Sequence, residues 1–408
     1  MIEPAEAWAR IAAHVAPLSA ERVLLDAAQG RFLASPLLAR RDDPPFDNSA
    51  MDGYAVRAED VAGASAEHPV ALALIDESRA GAAATRRLEP GQAIRIFTGA
   101  VMPAGADTVV MQEDTRRERD GEVLVLEGHG PGHHVRARGE AVAGGATILD
   151  VGDSIGPGEI ALAASQGHAV VPVHRRPRVA ILPTGDELLE LGAPPTEGAI
   201  YDSNTHGLAA AIREAGGVPQ ILPRGVDTPE ALEALVREGL RADVLVSTGG
   251  VSVGDYDLVH GAFAAAGVEE VFWKVRIKPG KPIRVGVAAN GALAVGLPGN
   301  PVSALVTFEA FVRPAMRILV GDPLPHRPRI RVRLARPLRA PETRTELFRA
   351  RLEGDVAHPA RTGSSADMTS LVGLDALVIL PTGAGEVTEA DAIDVRGGRG
   401  ARVSPWEA

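Results

Sequence analysis

Short apolar runs alternate with stretches of helical periodicity along residues 177–322, and this alternation is the clearest pattern in the chain. Residues 176–182 and 242–247 each contain a short apolar run, whereas residues 207–215 and 230–240 repeat apolar positions at helical spacing. Strands and helices that alternate in this way favour a mostly parallel sheet with helices on both faces. Ligands of such sheets bind beyond the carboxyl ends of the strands. The unusual loops of this region follow those ends.

Helix-capping residues and prolines predict where these elements begin and end. Asn204 or Thr205 is expected to cap the helix over 207–215, and Thr228, which precedes a proline, is expected to cap the next one. Residues 302–321 predict one long helix. The apolar stretch of residues 271–277 predicts a single strand.

The flanking regions have a different pattern. Residues 326–408 contain short strands with alternating polarity and predict a small β-domain, and residues 1–176 contain a helix followed by short strands separated by glycine and proline. The predicted fold class is multi-domain α/β plus β, with a central α/β domain, a β-rich N-terminal region and a C-terminal β-domain. The predicted domains are an N-terminal elongated region of residues 1–50 and 135–176, a β-rich inserted domain of residues 51–134, an α/β domain of residues 177–322, and a β-domain of residues 326–408.

Composition narrows the function classes. The chain contains no cysteine, which excludes disulfides, thiolate nucleophiles and zinc–thiolate sites and fits the cytoplasm. It has no apolar run of about 18 residues, and its N-terminus lacks the cationic start of a secretory signal, so no membrane segment is expected. A formal net charge of −11 disfavours nucleic acid as a partner.

Lysine is scarce and clustered. Lysine and arginine together number 42, and only Lys274, Lys278 and Lys281 are lysines. An ammonium group can approach a phosphate or an oxyanion end-on, which arginine cannot do. Two prolines stiffen the segment Lys278–Pro282. The cluster therefore predicts an anion site, and the alternative is chance survival of three lysines on a strand edge.

A glycine-rich loop, residues 247–257, directly follows an apolar strand and precedes a helix. Its backbone N–H groups can converge on an anion, and Thr248 and Ser252 add hydroxyl donors. Asp255 and Asp257 suit a divalent cation that bridges a phosphate. The loop lacks the Gly-Lys-Ser/Thr of a P-loop. The alternative interpretation is an elaborate turn.

Several carboxylates follow strand ends of the same predicted sheet: Asp186, Glu187, Asp202, Asp227 and Asp255. Oxygen-rich sites favour Mg²⁺, which keeps waters and bridges substrate phosphates. Asp202 could as well be a turn or helix-cap residue. Asp227 could equally be an acid that precedes the following helix without binding a metal.

Three further motifs leave alternatives open. Asn300 and Pro301 suit a helix cap and first turn, so the surrounding Pro-Gly-Asn-Pro motif is either structural or, with the lysines, part of an anion pocket. The polar loop of residues 45–56 is either a structural network or a ligand contact. Adjacent residues of an extended chain point to opposite sides, so His133 and His134 are interpreted as surface histidines rather than a metal pair.

Taken together, these motifs resemble the molybdopterin molybdotransferase family, which completes the assembly of the molybdenum cofactor and has the C-terminal region of gephyrin as an animal relative. The resemblance covers nearly the whole chain and rests on the motifs DNSAMDGYAV, IFTGAVMPAGADTVVMQED, PTGDEL, YDSN, STGGVSVGDYD, IKPGKP and GLPGNPVSA.

The resemblance implies a transferase that inserts molybdate into adenylylated molybdopterin, with Mg²⁺-dependent cleavage of the adenylyl phosphoanhydride and release of AMP. It implies an elongated homodimer of four-domain subunits with an active site between subunits, and the molybdopterin adenylyltransferase and apo-molybdoenzymes as partners. The alternatives are a non-catalytic molybdopterin-binding scaffold or carrier, and a related nucleotide pyrophosphatase.

The resemblance also implies roles for individual residues. The catalytic positions are Asp52, Asp255, Lys274, Lys278 and Lys281. The substrate-binding positions, some of them supported by the loop chemistry above, are Thr98, Glu187, Asp227, Thr248, Gly249, Gly250, Ser252, Pro298, Asn300, Pro301, Arg349 and Ser370. The metal positions are Glu187, Asp227 and Asp255, to which the carboxylate pattern described above adds Asp186.

One position departs from the family pattern. The family usually has an aspartate after an Arg-rich stretch that ends in Gly-Glu, and this chain has Ala141 there, directly after Glu140. A carboxylate of the N-terminal half is therefore missing from the expected metal or molybdate site, unless Glu140 or another acid takes its place.

Overall fold

A computed structural model describes residues 1–117, 120–225, 228–249, 258–397, 400–401 and 404–406. The chain folds into two units. The larger unit comprises Met1–Ser35, Val151–Pro157 and Val170–Ala408, and the smaller unit comprises Pro36–Asp150 and Gly158–Ala169. The helices of the described residues are α1 Pro4–Ala12, α2 Ala58–Val61, α3 Pro157–Ser165, α4 Ser203–Glu214, α5 Pro229–Gly239, α6 Leu258–Ala265, α7 Pro301–Thr307 and α8 Arg313–Leu319. None of them is long and apolar enough to cross a membrane.

The strands of the described residues are from 2 to 11 residues long. Up to residue 176 they are β1 Ala20–Leu24, β2 Leu37–Leu38, β3 Asn48–Ser49, β4 Gly53–Val56, β5 Val70–Ser78, β6 Gln92–Ile96, β7 Thr108–Met111, β8 Thr115–Arg116, β9 Glu122–Val125, β10 Val135–Arg136, β11 Thr147–Leu149 and β12 Val170–His174. The central part has β13 Arg178–Pro183, β14 Leu188–Leu189, β15 Ile200–Tyr201, β16 Val218–Ile221, β17 Val244–Thr248, β18 Glu269–Trp273, β19 Ile277–Lys278, β20 Arg284–Val287 and β21 Leu293–Leu297. The C-terminal part has β22 Arg329–Arg339, β23 Thr345–Glu353, β24 Val356–Pro359, β25 Ala376–Leu380 and β26 Glu386–Asp394.

The smaller unit is built on a six-stranded sheet of order β7-β4-β6-β5-β9-β8. All four residues of β4 are buried, and Tyr54, Val110 and Val123 belong to its apolar core. Strand β7 lies so close to β4 that a side chain at Gly53 would collide with the Val110 carbonyl group. This sheet confirms the β-rich N-terminal region. The sequence-based domain boundaries stay a prediction.

The central sheet has the order β16-β13-β17-β21-β20-β18. Its first four strands are parallel, and β20 and β18 continue the sheet antiparallel. Strands β17 and β21 are fully buried, as continuous apolar runs in a sheet covered on both faces should be. The α/β fold class is confirmed.

One strand expectation in this sheet is wrong, and one strand was not predicted. The single strand expected over residues 271–277 ends at Trp273, because Lys274 adopts a left-handed conformation with φ of 70° and the chain turns. The chain then returns as β20, which the sequence analysis did not predict because glycine and prolines precede it.

The helices differ from expectation in two places. Asp202, rather than Asn204 or Thr205, is the N-cap of α4, and its carboxylate accepts a hydrogen bond from the Thr205 N–H at 3.0 Å. The long helix expected over residues 302–321 is interrupted by a π-helical turn at Phe308–Val312. Pro314 explains the turn, because it lacks an N–H donor and its ring would clash with the carbonyl group four residues earlier.

The C-terminal strands form a closed barrel. The sheet runs β19-β23-β24-β22-β26-β25, and β23 also pairs with β25, which closes the five strands from β22 to β26 on themselves. Strand β19 from the central part adds to β23 in parallel. The expected C-terminal β-domain is confirmed, and its closure removes free edges.

Candidate functional site

A cavity of about 460 Å³ opens in the larger unit beyond the carboxyl ends of β13, β17 and β21. It is the position at which parallel α/β sheets bind ligands. Six of the predicted substrate-binding residues line it together, namely Glu187, Thr248, Gly249, Pro298, Asn300 and Pro301. We call it the strand-end cavity. The roles of these residues stay predictions, and their convergence is a structural finding.

Thr184, Thr248 and Gly249 contact one another and form a corner in the lining of the strand-end cavity. The Thr184 hydroxyl donates a hydrogen bond to the Thr248 carbonyl oxygen at 2.8 Å. Gly249 has φ of 87°, and a Cβ at this position would lie 3.0 Å from the Thr184 carbonyl oxygen. Only glycine fits this backbone without strain, so the chain can approach a ligand closely here.

Asn204 also lines the cavity and is 9% exposed. Its Nδ2 donates to the Gly299 carbonyl oxygen at 2.7 Å. Its Oδ1 is buried and has no hydrogen-bond partner among the described residues. Sequence reasoning treated Asn204 as a helix cap and did not single out Thr184. The signal for Asn204 was its scarcity, since asparagine occurs only four times in the chain.

Asn300 joins this cavity to the C-terminal part of the chain. It precedes α7, and Pro301 takes the first helical position as predicted. The Asn300 side chain makes no capping bond but donates to the Ser365 hydroxyl at 3.1 Å. The Pro-Gly-Asn-Pro motif therefore both starts a helix and lines the cavity.

Part of the predicted acidic set can be placed. The exposed Glu187 carboxylate folds over Gly185 at the cavity, and Asp202 lines the cavity next to α4. Asp186 is exposed and is absent from the cavity lining. Asp227, Gly250, Ser252 and Asp255 lie outside the described residues.

The three lysines lie on one hairpin between β18 and β20. In this hairpin the Lys274 N–H donates a hydrogen bond to the Ile283 carbonyl oxygen at 3.0 Å. The Val275 N–H donates one to the Lys281 carbonyl oxygen at 3.1 Å. Their side chains have different surroundings. The Lys274 ammonium lies 3.5 Å from the centre of the Trp273 ring. Lys281 is exposed, and Lys278 forms an ion pair of 3.0 Å with the buried Glu346.

A second cavity, of about 560 Å³, contains Arg349 and Ser370, two of the predicted substrate-binding residues. We call it the barrel cavity. Arg349 is 0% exposed, and its guanidinium donates to the Ser370 hydroxyl at 3.1 Å and to the Ser364 carbonyl oxygen at 2.9 Å. Its Nη1 has no hydrogen-bond partner among the described residues. Burial lowers the pKa of the Arg349 guanidinium.

Asp52 and Thr98 are paired within the smaller unit. The Thr98 N–H and hydroxyl both donate to Asp52 Oδ1 at 2.7 Å. The Thr98 N–H is the main reason that the pKa of Asp52 lies below its ordinary value.

Glu140, the acid next to Ala141, is exposed. Its carboxylate accepts a hydrogen bond from the Ala137 N–H at 2.8 Å and so stabilises a local turn.

Family models match three stretches of the chain. The "MoeA N-terminal region (domain I and II)" matches residues 2–167, the "Probable molybdopterin binding domain" matches residues 180–318, and the "MoeA C-terminal region (domain IV)" matches residues 331–396.

Curated relatives and solved structures agree with these matches. A molybdopterin molybdenumtransferase of Nostoc is 45% identical over 304 residues, which cover 74% of this chain and 70% of the relative. The molybdopterin molybdenumtransferase 2 of Mycobacterium tuberculosis is 43% identical and covers 81% and 83%. The crystal structure of the molybdopterin biosynthesis MoeA protein from Pyrococcus horikosii superimposes with a TM-score of 0.85 at 32% identity, covering 98% of this chain and all of that one.

Proposed function

The chain belongs to the MoeA family of molybdopterin molybdenumtransferases, and we propose that it inserts molybdate into adenylylated molybdopterin and releases AMP. It is an enzyme of molybdenum cofactor biosynthesis. The observation that supports the proposed reaction is the strand-end cavity. The corner at Gly249, the unpartnered amide oxygen of Asn204 and the carboxylate of Glu187 line this one space.

The corner of this cavity suits a phosphate of the adenylylated pterin. Close backbone approach at Gly249 leaves room for an anion, and the N-terminal residues of α4 line the same space. Asn204 Oδ1 accepts nothing from the described protein, so it is free to accept a substrate N–H or to bind a hard cation.

The donors of the cavity fit the Mg²⁺ that the proposed reaction requires. Glu187 and Asp202 supply carboxylate oxygens and Asn204 supplies an amide oxygen, which are ligands that Mg²⁺ prefers. Mg²⁺ sites commonly use only one or two carboxylates beside substrate phosphates. When bound, the ion would offset negative charge on the phosphoanhydride oxygens. The protein residues then hold and orient the substrate.

The barrel cavity suits a second anion, either molybdate or the terminal phosphate of the pterin. Arg349 keeps its charge when buried, because arginine loses its proton only far above neutral pH. Its unpartnered Nη1 is a donor available to a bound oxyanion. This supports the substrate-binding role that the resemblance implies for Arg349 and Ser370.

The test uses the full-length protein with adenylylated molybdopterin, Mg²⁺ and molybdate. We expect AMP release coupled to a molybdenum-loaded pterin, and we expect Asn204→Ala to lower both. Asn290→Ala is the matched control, because the Asn290 amide also donates to a backbone carbonyl oxygen, that of Leu240 at 2.8 Å, but does not line the cavity.

Other outcomes would overturn the proposal. Binding of the substrate without AMP release identifies a carrier. Cleavage of unrelated dinucleotides that compete with adenylylated molybdopterin identifies a nucleotide pyrophosphatase. AMP release by Asn204→Ala at the rate of Asn290→Ala would remove the strand-end cavity from the reaction.

The proposal includes a cytoplasmic homodimer that exchanges substrate and product with the molybdopterin adenylyltransferase and apo-molybdoenzymes. Its support is the family resemblance. Light scattering of the purified chain tests the dimer, and we expect a mass twice that of one chain. A monomeric mass at working concentration would contradict it.

A further inference from the structure

A cluster of metal-ligand side chains lies in the smaller unit, among residues to which no role was assigned. Asp114, Glu127 and His129 each offer one ligand atom, and these three atoms all lie within 4.8 Å of one another. We propose that this cluster binds a divalent first-row transition metal ion, and we take Zn²⁺ as the representative ion. The proposal does not depend on the proposed catalytic function.

The sheet brings the three residues together. Strands β8 and β9 pair Thr115 with Val125, and the Leu126 N–H donates to the Asp114 carbonyl oxygen at 2.8 Å. Asp114 therefore lies beside the end of β9, and Glu127 and His129 follow that end directly. The pairing of β8 with β9 therefore brings together the residue before β8 and the residues after β9.

Hydrogen bonds also hold the part of the loop that follows His129. The Thr108 hydroxyl donates to the Gly130 carbonyl oxygen at 2.9 Å, and the Gly132 N–H donates to that of Asp107 at 2.8 Å. Both bonds attach the loop to the strand β7 region. A preformed loop reduces the ordering that a metal ion must impose.

The His129 ring nitrogen points into the cluster. Its Nε2 is buried, has no hydrogen-bond partner among the described residues, and lies 3.8 Å from Asp114 Oδ2. That separation is too long for a hydrogen bond. It is close to the distance between two ligands that each lie about 2 Å from one tetrahedral ion, which is roughly 3.3 Å. Buried polar atoms without partners call for an explanation, and an ion is one.

Two further histidines support the His129 ring. The rings of His129 and His133 stack with centroids 3.9 Å apart, and those of His133 and His134 are also 3.9 Å apart. The expectation that His133 and His134 point to opposite sides is wrong, because His134 has a left-handed backbone with φ of 55°.

The donor set selects the class of metal. One imidazole and two carboxylates suit Zn²⁺, Co²⁺ or Ni²⁺, whereas Mg²⁺ and Ca²⁺ prefer oxygen alone. The chain has no cysteine, so a thiolate site for a softer metal is excluded. Three protein ligands leave at least one position for water, as in an open zinc site.

The test is a titration of untagged, EDTA-treated full-length protein with Zn²⁺, and separately with Co²⁺, in excess Mg²⁺ that saturates oxygen-only sites. We expect one ion per chain and visible Co²⁺ absorption bands. Since loss of outer-shell partners alone often weakens metal binding 10–100-fold, His129→Gln should weaken it on the order of 100-fold. His14→Gln, an exposed histidine of the larger unit, is the matched control and should bind normally.

A second variant keeps the test decisive if His129→Gln fails to fold. Glu127 is exposed, so Glu127→Gln removes a ligand with little effect on packing, and it should also lose affinity. The proposal is wrong if the wild type binds no Zn²⁺ in excess Mg²⁺. It is equally wrong if Glu127→Gln binds Zn²⁺ as tightly as His14→Gln does.

Discussion

The strand-end cavity and the barrel cavity are built on opposite principles. The corner of the first presents neutral groups, two threonines and a glycine whose backbone admits close approach, and the carboxylates of Glu187 and Asp202 line the same cavity. The second presents a guanidinium that is fully buried and held by a hydroxyl and carbonyl oxygens. A neutral corner depends on shape within a few tenths of an ångström, whereas a buried charge depends on the presence of one group. Substitutions should therefore damage the two cavities in different ways.

The largest effect is expected in the barrel cavity. Arg349→Ala removes a buried guanidinium that lines this cavity, and loss of one donor to a developing negative charge typically lowers turnover about 100- to 1,000-fold. The measurement is molybdate-dependent AMP release at saturating substrate, with circular dichroism to verify folding.

Arg349→Lys separates charge from geometry. Lysine keeps the charge but cannot donate along the fork that contacts Ser370 and Ser364. We expect partial recovery of turnover. Full activity of Arg349→Ala would break the comparison, because the barrel cavity would then have no share in the reaction.

A smaller effect is expected at the glycine corner. Gly249→Ala places a Cβ 3.0 Å from the Thr184 carbonyl oxygen and forces alanine into a left-handed conformation, which alone costs about 1–2 kcal/mol. Substrate affinity should fall more than stability does, since the corner must move to relieve the contact. Calorimetric binding and thermal unfolding measure the two quantities.

Gly291→Ala is the matched control for the corner. Gly291 has φ of 83°, close to that of Gly249, but a Cβ there would meet nothing within 4 Å. Both variants pay the same backbone cost, so their difference isolates the contact with Thr184. Equal affinity for substrate in the two variants would show that close approach at Gly249 is unimportant.

The smallest effect is expected from Thr184→Val. It deletes the hydrogen bond to the Thr248 carbonyl oxygen and should lower the free energy of unfolding by about 1 kcal/mol, the net worth of a neutral hydrogen bond. Thr228→Val is the control, because the Thr228 side chain makes no capping bond to α5. Urea denaturation measures both, and an unchanged midpoint for Thr184→Val would show that the corner does not need this bond.

The parallel core of the fold could be predicted from sequence because fully buried strands are continuous apolar runs. Strands β13, β17 and β21 follow this rule. Strand β20 does not, since its context of glycine and proline resembles a loop, and its pairing with β18 depends on a turn at Lys274 that no local pattern indicates. The closure of the barrel by β23 and β25 is a contact between distant segments and left no local signal.

The candidate site divides in the same way. Gly249 and Pro301 were predicted because backbone conformation limits the residues that fit those positions. The use of Asn204 was not, because its partner, the Gly299 carbonyl oxygen, is 95 residues away in the chain. The cluster around His129 was missed for a similar reason, since a left-handed residue at His134 brings together rings that an extended chain would separate.

Two consecutive serines serve both cavities. The carbonyl oxygen of Ser364 accepts a hydrogen bond from the Arg349 guanidinium, and the hydroxyl of Ser365 accepts one from the Asn300 amide. Two adjacent residues thus hold side chains of both cavities, and a change of this loop that alters one cavity should disturb the other. Insertions or deletions here should be tolerated far less than the exposed, polar sequence of the loop suggests.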